Sequence, residues 1–433
     1  MIRRAFKLFW AYILEHNKIF FFALLSGFLL VLFFVKFFKP YLAARPQEEI
    51  IGRSGNYTLQ TLPLDIQEKL SLGLTKALPD GSATPSAAVS WIATDSGKTY
   101  LFKLNSNLIW HDGKPLTASD INYQLQDVKI TPKGSDAIEF ILADPFSPLP
   151  IVVNQPIFRP GLIGLGEYYL KSVKLSGRFL DTLVLEKPGR LQTYKFFTTD
   201  KMAVTALRLG KVQKLEGIQD LTNELNLLSK PDINYHQQAA IFFNAASDSV
   251  SEKSFRQALA YSLPQNSWDG VQSFGPLSPA SWAYNPNLKK YPQDIENAKS
   301  LLAKTSASQS AKITLTTIPQ LKNTAQKIKT AWEKIGMEVT VNLNESLPEN
   351  YQALLIFFEI PKDPDQYLLW HSTSLQNITN YKSPKSDKLL EEGRQTSDPE
   401  VRKAKYFEFQ KAITEDLPAI FLYFPTTYTV TRK

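Results

Sequence analysis

The 433-residue sequence predicts an α/β protein whose body falls into two unlike halves behind an N-terminal membrane helix. Three observations carry this expectation. From Ile19 to Val35 seventeen residues pass without a charge, rich in Phe, Leu and Val, and the run reaches Phe38 if Lys36 snorkels to the headgroups, enough for a bilayer. Residues 313–343 read as strand, helix, strand. Ile313, Leu315 and Thr317 alternate, Leu321, Ala325, Ile328, Trp332 and Ile335 recur at helical spacing, Gly336 stops the helix, and Met337, Val339, Val341 and Leu343 alternate again. Such a βαβ unit implies parallel strands with a right-handed crossover. The first half differs: Trp91 to Trp110, and Gly164 to Leu170 with Gly177 to Leu180, read as hairpins about Gly-containing turns, with few helices.

The N-terminal helix sets the topology. Arg3, Arg4, Lys7 and Lys18 precede it while Lys36, Lys39 and Arg45 follow it, so the positive-inside rule favours a cytoplasmic N-terminus and an extracytoplasmic body. The expected layout is a basic interfacial segment at 1–18, a single-pass anchor in the cell membrane at 19–38 and a polar linker at 39–49. A cleaved signal peptide is the competing reading, with Leu42-Ala43-Ala44 as a loose cleavage match. The chain has no Cys, which excludes disulfides and a lipid-bearing cysteine, so the helix is the expected tether. Of the formal charge of +8, the first 45 residues carry +6 and the rest only +2. Basic residues flanking an apolar helix are explained by membrane topology, so no nucleic-acid partner is expected.

Local signals place further elements. Tyr100, Phe102 and Leu104 alternate as on a half-buried strand, and Asp112-Gly113 supplies a turn. Thr117 and Asp120 form a capping-box pair, predicting a helix that carries Ile121, Leu125 and Val128 on one face. Asp294 should cap a helix with Ile295, Ala298, Leu301 and Leu302, and Ser397-Asp398-Pro399-Glu400 should open one that continues through Tyr406, Phe409 and Ile413. Pro418 ends it, and Ala419 to Phe424 reads as a buried strand.

Catalytic motifs are missing. The four His, at 16, 111, 236 and 371, make no H-x-x-x-H or H-E-x-x-H pairing, and no Cys supplements them. There is no G-x-x-x-x-G-K-[ST] loop, no G-x-G-x-x-G and no G-x-S-x-G elbow. No enzyme activity, metal or cofactor is expected.

The stretch Trp110-His111-Asp112-Gly113-Lys114-Pro115-Leu116-Thr117-Ala118-Ser119-Asp120-Ile121 resembles the hallmark segment of family 5 extracellular solute-binding proteins, the peptide receptors of ABC importers. Further blocks follow in the family's order: Gly164 to Leu185, Phe243-Asn244 with Phe255 to Tyr261, Gly275 to Pro286, Asp363-Pro364-Asp365, Asn380-Tyr381, Asp387 to Leu390 and Asp416-Leu417-Pro418. The resemblance implies a two-lobed periplasmic-binding-protein-like fold, with lobe I discontinuous at 50–243 plus 415–433 and lobe II at 244–414. It implies a monomeric receptor that closes on a peptide or other small solute and then docks on an ABC permease. A scaffold of the same fold that has lost transport and serves envelope assembly or signalling is the alternative, as is a non-peptide ligand.

Site residues carry over in part. Asn244 and Tyr423 match an amide near the lobe crossing and an aromatic on the returning strand. In the family's peptide receptors an Asp three residues before the "DP" aspartate pairs with the ligand's α-ammonium, and a Trp three residues earlier forms an apolar wall; here those positions hold Ile360 and Phe357. The expected substitutes for the absent carboxylate are Glu359 and Asp363.

Overall fold

The apolar N-terminal helix runs from Asn17 to Phe33 and continues into a π-helical turn, Phe34–Phe38, in the computed structural model, which describes residues 15–38, 46–221, 227–306, 312–348 and 350–432. Every residue from Phe21 to Phe37 is exposed. Among the described residues no helix is long and apolar enough to cross a membrane. Most of the expected basic segment, residues 1–14, and most of the expected linker, residues 39–45, lie outside the described residues.

The first lobe carries β1 (Gln47–Ser54), β2 (Thr75–Ala77), β3 (Ala83–Pro85), β4 (Ala88–Thr94), β5 (Thr99–Leu104), β6 (Val128–Pro132), β7 (Ala137–Leu142), β8 (Tyr169–Ser176), β9 (Phe179–Lys187), β10 (Arg190–Phe197), β11 (Lys214–Ile218) and β12 (Leu227–Ile233). Its main sheet runs β8-β9-β10-β1-β11, with β1 parallel to both of its neighbours. Beside it stands an antiparallel sheet, β4-β5-β7-β6. The alternation read in the sequence is the burial pattern of β5: Tyr100, Phe102 and Leu104 are buried, and Phe102 meets Phe140 edge-on at 5.4 Å.

The second lobe carries β13 (Gln237–Phe243), β14 (Gly270–Gln272), β15 (Lys312–Thr317), β16 (Glu338–Leu343) and β17 (Ala353–Glu359). The predicted βαβ unit is present: β15 and β16 pair in parallel, and helix Lys322–Glu333 crosses between them with Ile328 and Trp332 fully buried. β13 and β17 read as nearly continuous apolar runs because helices cover the sheet on both faces. The caps at Asp294 and Asp398 form as expected, the first accepting from Asn297 N at 2.9 Å and the second from Glu400 N at 2.9 Å.

The last strand, β18 (Ala419–Arg432), belongs to both lobes. Its first half pairs with β13 and β14, and its second half with β11 and β12. The chain therefore passes between lobes at residues 234–236 and again at Pro425–Thr426, and the crossings are tied where Asn234 N donates to Pro425 O at 3.0 Å. These positions correct the expected boundaries at 243/244 and 414/415. Gln237–Phe243 lies in the second sheet because it pairs along its whole length with β17, and Ala419–Phe424 joins it there.

One predicted element is absent. The Thr117–Asp120 capping box forms, but it opens only a 3-10 turn, Ala118–Asp120, and Ile121 is already extended at ψ 114. Tertiary bonds fix the turn instead: the Asp120 carboxylate accepts from Thr117 N (2.8 Å), Trp110 Nε1 (3.2 Å) and Arg159 Nη2 (2.6 Å). Ile121 turns into the core, and Val128, expected on the same helical face, pairs with Leu142 in β6.

Candidate functional site

A cleft of about 490 Å³ opens between the lobes beside the two crossings. The first lobe contributes Arg53 from β1, Asp65 from helix Leu64–Leu70 and the Leu78–Gly81 loop. The crossing contributes Asp232 to His236 and Thr427, and the second lobe contributes Leu277, Ser278, Ala280, Ser281 and Ile360 to Lys362. The second-lobe loop is held by the long C-terminal helix Pro399–Asp416: Gln410 Nε2 donates to Ala283 O at 2.7 Å and its Oε1 accepts from Asn285 N at 3.1 Å. The Gly275–Pro286 block is thus a fold element that presents its serines to the cleft.

The charges in the wall are mostly matched. Arg53 makes a bidentate pair with Asp65, Nη1 donating to Oδ1 at 2.9 Å, and reaches Glu216 at 2.8 Å. Burial alone would lower its pKa, but these two carboxylates reverse the sign and hold it firmly charged. Its Nε is buried and has no hydrogen-bond partner among the described residues. Lys362 spans the lobes, lying 3.6 Å from Glu68 and donating to Asn154 Oδ1 at 3.4 Å. Asp80 is held below the usual carboxylate range by the Ser82 hydroxyl and N–H.

The lobes touch directly. Trp282 N donates to Asp80 O at 2.9 Å, and Ser147 N to Arg394 O at 2.7 Å.

The residues singled out from sequence separate into three groups. Ile360 lines the cleft, 7% exposed, its N–H donating to His236 O at 2.9 Å; an apolar side chain stands where an ammonium partner was sought. Neither expected substitute is in that wall. Glu359 is exposed at the end of β17 opposite Gln237, and Asp363 is buried beside a second cavity, with Arg402 at 2.8 Å. Burial raises the Asp363 pKa and Arg402 opposes the rise. Phe357 and Tyr423 belong to the second-lobe core: their rings meet edge-on at 6.3 Å, and Tyr423 stacks on Trp268 and shares a hydrogen bond with Thr324 Oγ1 at 3.1 Å. Burial pushes the Tyr423 hydroxyl up to about 12. Asn244 lies at the end of β13 away from the crossing, where its Oδ1 accepts from Ala246 N and Asn380 Nδ2; it is a turn cap. Sequence reasoning missed Arg53 and Asp65, and no local motif marks either.

The chain matches the family model described as bacterial extracellular solute-binding proteins, family 5 Middle, over residues 82–155 and 192–377, more than half of its length. It is 24% identical over 490 aligned positions to the oligopeptide-binding protein AppA of Bacillus subtilis, covering 89% of this chain and 88% of that protein. The structure of AppA in complex with a nonapeptide superposes with TM-score 0.71 at 22% identity, covering 90% of this chain and 95% of the other. NikZ from Campylobacter jejuni, in complex with Ni(L-His), gives TM-score 0.74 at 20% identity over 89% and 94%.

Proposed function

The chain belongs to the bacterial extracellular solute-binding proteins, family 5, a family of binding proteins without catalysis, and from that premise we propose that it captures a peptide-like solute by closure of its two lobes and delivers it to an ABC importer. The observation that carries this reading is the interlobe cleft of about 490 Å³ placed against the paired crossings at 234–236 and 425–426. Two short crossings tied by the Asn234–Pro425 main-chain bond form a hinge, and a solute touching both lobes favours the closed state by its differential affinity.

The similar receptors hold ligands as different as a nonapeptide and a nickel–histidine complex. A peptide suits this cleft because the main-chain groups and serines of the Leu277–Ser281 wall pair with amides whatever the side chains. Ile360 favours a second reading, a solute with no free amine at that point, since a buried ammonium needs an anionic partner.

The tether is part of the proposal. Asn17–Phe33 and the turn Phe34–Phe38 follow one another without a break, and the uncharged residues Phe21 to Val35 within them are all exposed.

The test is thermal unfolding of the full chain in detergent with pools of di- to pentapeptides, with free and with acetylated N-termini. A rise in Tm that grows with concentration is expected, because a ligand stabilises by RT ln(1 + [L]/Kd). No rise with any pool at millimolar concentration sinks the peptide assignment.

A further inference from the structure

A second cavity of about 460 Å³ lies between the lobes, with a direct main-chain contact between them at each end. At one end Trp282 N donates to Asp80 O, and the next residue, Gly81, sits at φ +86 with no room for a Cβ, which would come 2.1 Å from Lys362 O. At the other end Ser147, which lines the cavity, bonds to the Arg394 carbonyl. Gly81 also lines the main cleft, so the Asp80–Gly81 loop, seated on Lys362, is what divides the space between the lobes into two chambers.

The chemistry of the second chamber differs from that of the first. Trp91, Pro150 and Ile151 come from the first lobe, and Trp282 and Arg402 face them from the second. Its charges balance: Asp363 is met by Arg402 at 2.8 Å, and Glu400 lines the wall with Lys403. The Arg402 guanidinium lies 5.2 Å from the centre of the Trp282 ring. Its Nε donates to Gly393 O and its Nη2 to Asp363, while Nη1 makes no hydrogen bond among the described residues. The chamber therefore offers two indole walls, formally balanced side-chain charges and, in Arg402 Nη1, a donor with no partner among the described residues.

We infer that this chamber is a second subsite, taking an uncharged aromatic or bulky apolar group of the same solute, with a carbonyl of that solute accepting from Arg402 Nη1. The inference rests on the reading of the cleft as a solute site. Because its walls come from both lobes, the subsite is complete only on closure, and its occupant strengthens closure.

The test uses the full chain in detergent and a set of acetylated, amidated tetra-alanine peptides with Phe placed at each position in turn. One Phe position should bind at least tenfold more tightly than tetra-alanine, and Trp91→Ala should cut that preference below threefold while changing tetra-alanine affinity less than twofold. Ala83→Trp, which fills the chamber without removing a wall, should abolish the same preference and guards against misfolding of the Trp91 variant. Equal affinity across the set, or a preference that survives both variants, overturns the subsite. If no peptide binds, the peptide reading fails separately, and N-acetylphenylalaninamide decides the chamber. A saturable change in tryptophan fluorescence that Trp91→Ala and Ala83→Trp both remove supports it, and no such change overturns it.

Discussion

The main-chain carbonyl of Arg394 accepts two hydrogen bonds from Ser147 of the opposite lobe, one from its N–H at 2.7 Å and one from its hydroxyl at 2.9 Å. The Arg394 guanidinium lies 5.1 Å from the Phe146 ring across the interface and 4.0 Å from Tyr367 on its own side, and donates to Asp365 at 2.7 Å. Arg394→Ala removes the cross-lobe cation–π contact, about 0.5–1 kcal/mol or somewhat more at this partly buried site, and frees the backbone that Ser147 grips. The ligand-free variant should be more open, with a larger radius of gyration by small-angle scattering and solute affinity weaker by about two- to fivefold. An unchanged radius and affinity would show that the clasp does not bias closure.

Gly81 tests the same equilibrium from the other end of the interface. A Cβ there meets the Lys362 carbonyl, a backbone atom that cannot swing away, and φ +86 strains any side chain besides. Gly81→Ala should therefore oppose closure more than folding. Solute affinity should drop at least tenfold, while the unfolding temperature of the ligand-free protein falls by only a few degrees, in keeping with a penalty of about 1 kcal/mol for positive φ. Equal affinity for the two proteins in calorimetric titration would sink the assignment of this contact to closure.

What the sequence makes legible here is what local chemistry decides. The βαβ unit of residues 312–343 is readable because its periods of 2 and 3.6 fall within one short window, and the Asp294 and Asp398 caps because a cap needs only its own first turn. The helix expected after Thr117 fails because Arg159, far along the chain, takes the Asp120 carboxylate and the following residues are drawn into the core and β6. The lobe boundaries were misplaced for a related reason: β18 serves two sheets, and nothing local marks the change at Pro425. In the site, Ile360 is found from motif spacing, whereas the Arg53–Glu216 pair joins residues 163 positions apart and leaves no trace in any window.

Asp120 makes acid stability measurable at one residue. Partial burial would raise its pKa, but bonds from Arg159, Thr117 and Trp110 outweigh that and hold it below the usual range. With a depressed folded pKa, its contribution is present above the unfolded value of about 3.9 and is lost as pH falls through the folded pKa. Asp120→Asn should lower stability by about 1.5–3 kcal/mol at pH 7, the range for hydrogen bonds to a charged group, and the gap from the parent should close as pH falls below about 4. Urea unfolding at stepped pH values reads this directly; a gap independent of pH contradicts the charge assignment.

The Asp363–Arg402 pair is deeply buried, at 7% and 8% exposure, and its members depend on each other. Arg402→Met leaves a carboxylate in a poor solvent and should destabilise by about 3–5 kcal/mol. Asp363→Leu combined with Arg402→Met removes both charges and should recover a large part of that loss. A double-mutant cycle on urea midpoints measures the coupling, and a value near zero would falsify mutual dependence.

Ile360 offers the sharpest statement about the ligand. It occupies the position where the resemblance calls for a carboxylate, it is nearly covered in the cleft, and neither Glu359 nor Asp363 shares its wall. Ile360→Asp places an anion there whose partner must come from the solute. Without solute the variant should be less stable than the parent at pH 7, and more nearly equal to it below pH 4, where the new carboxyl is protonated. Peptides with a free α-ammonium should restore its unfolding temperature and bind it at least tenfold more tightly than they bind the parent, while acetylated peptides should not. If free and acetylated peptides discriminate between parent and variant to the same extent, the amine does not enter beside residue 360, and the apolar wall there answers to another part of the solute.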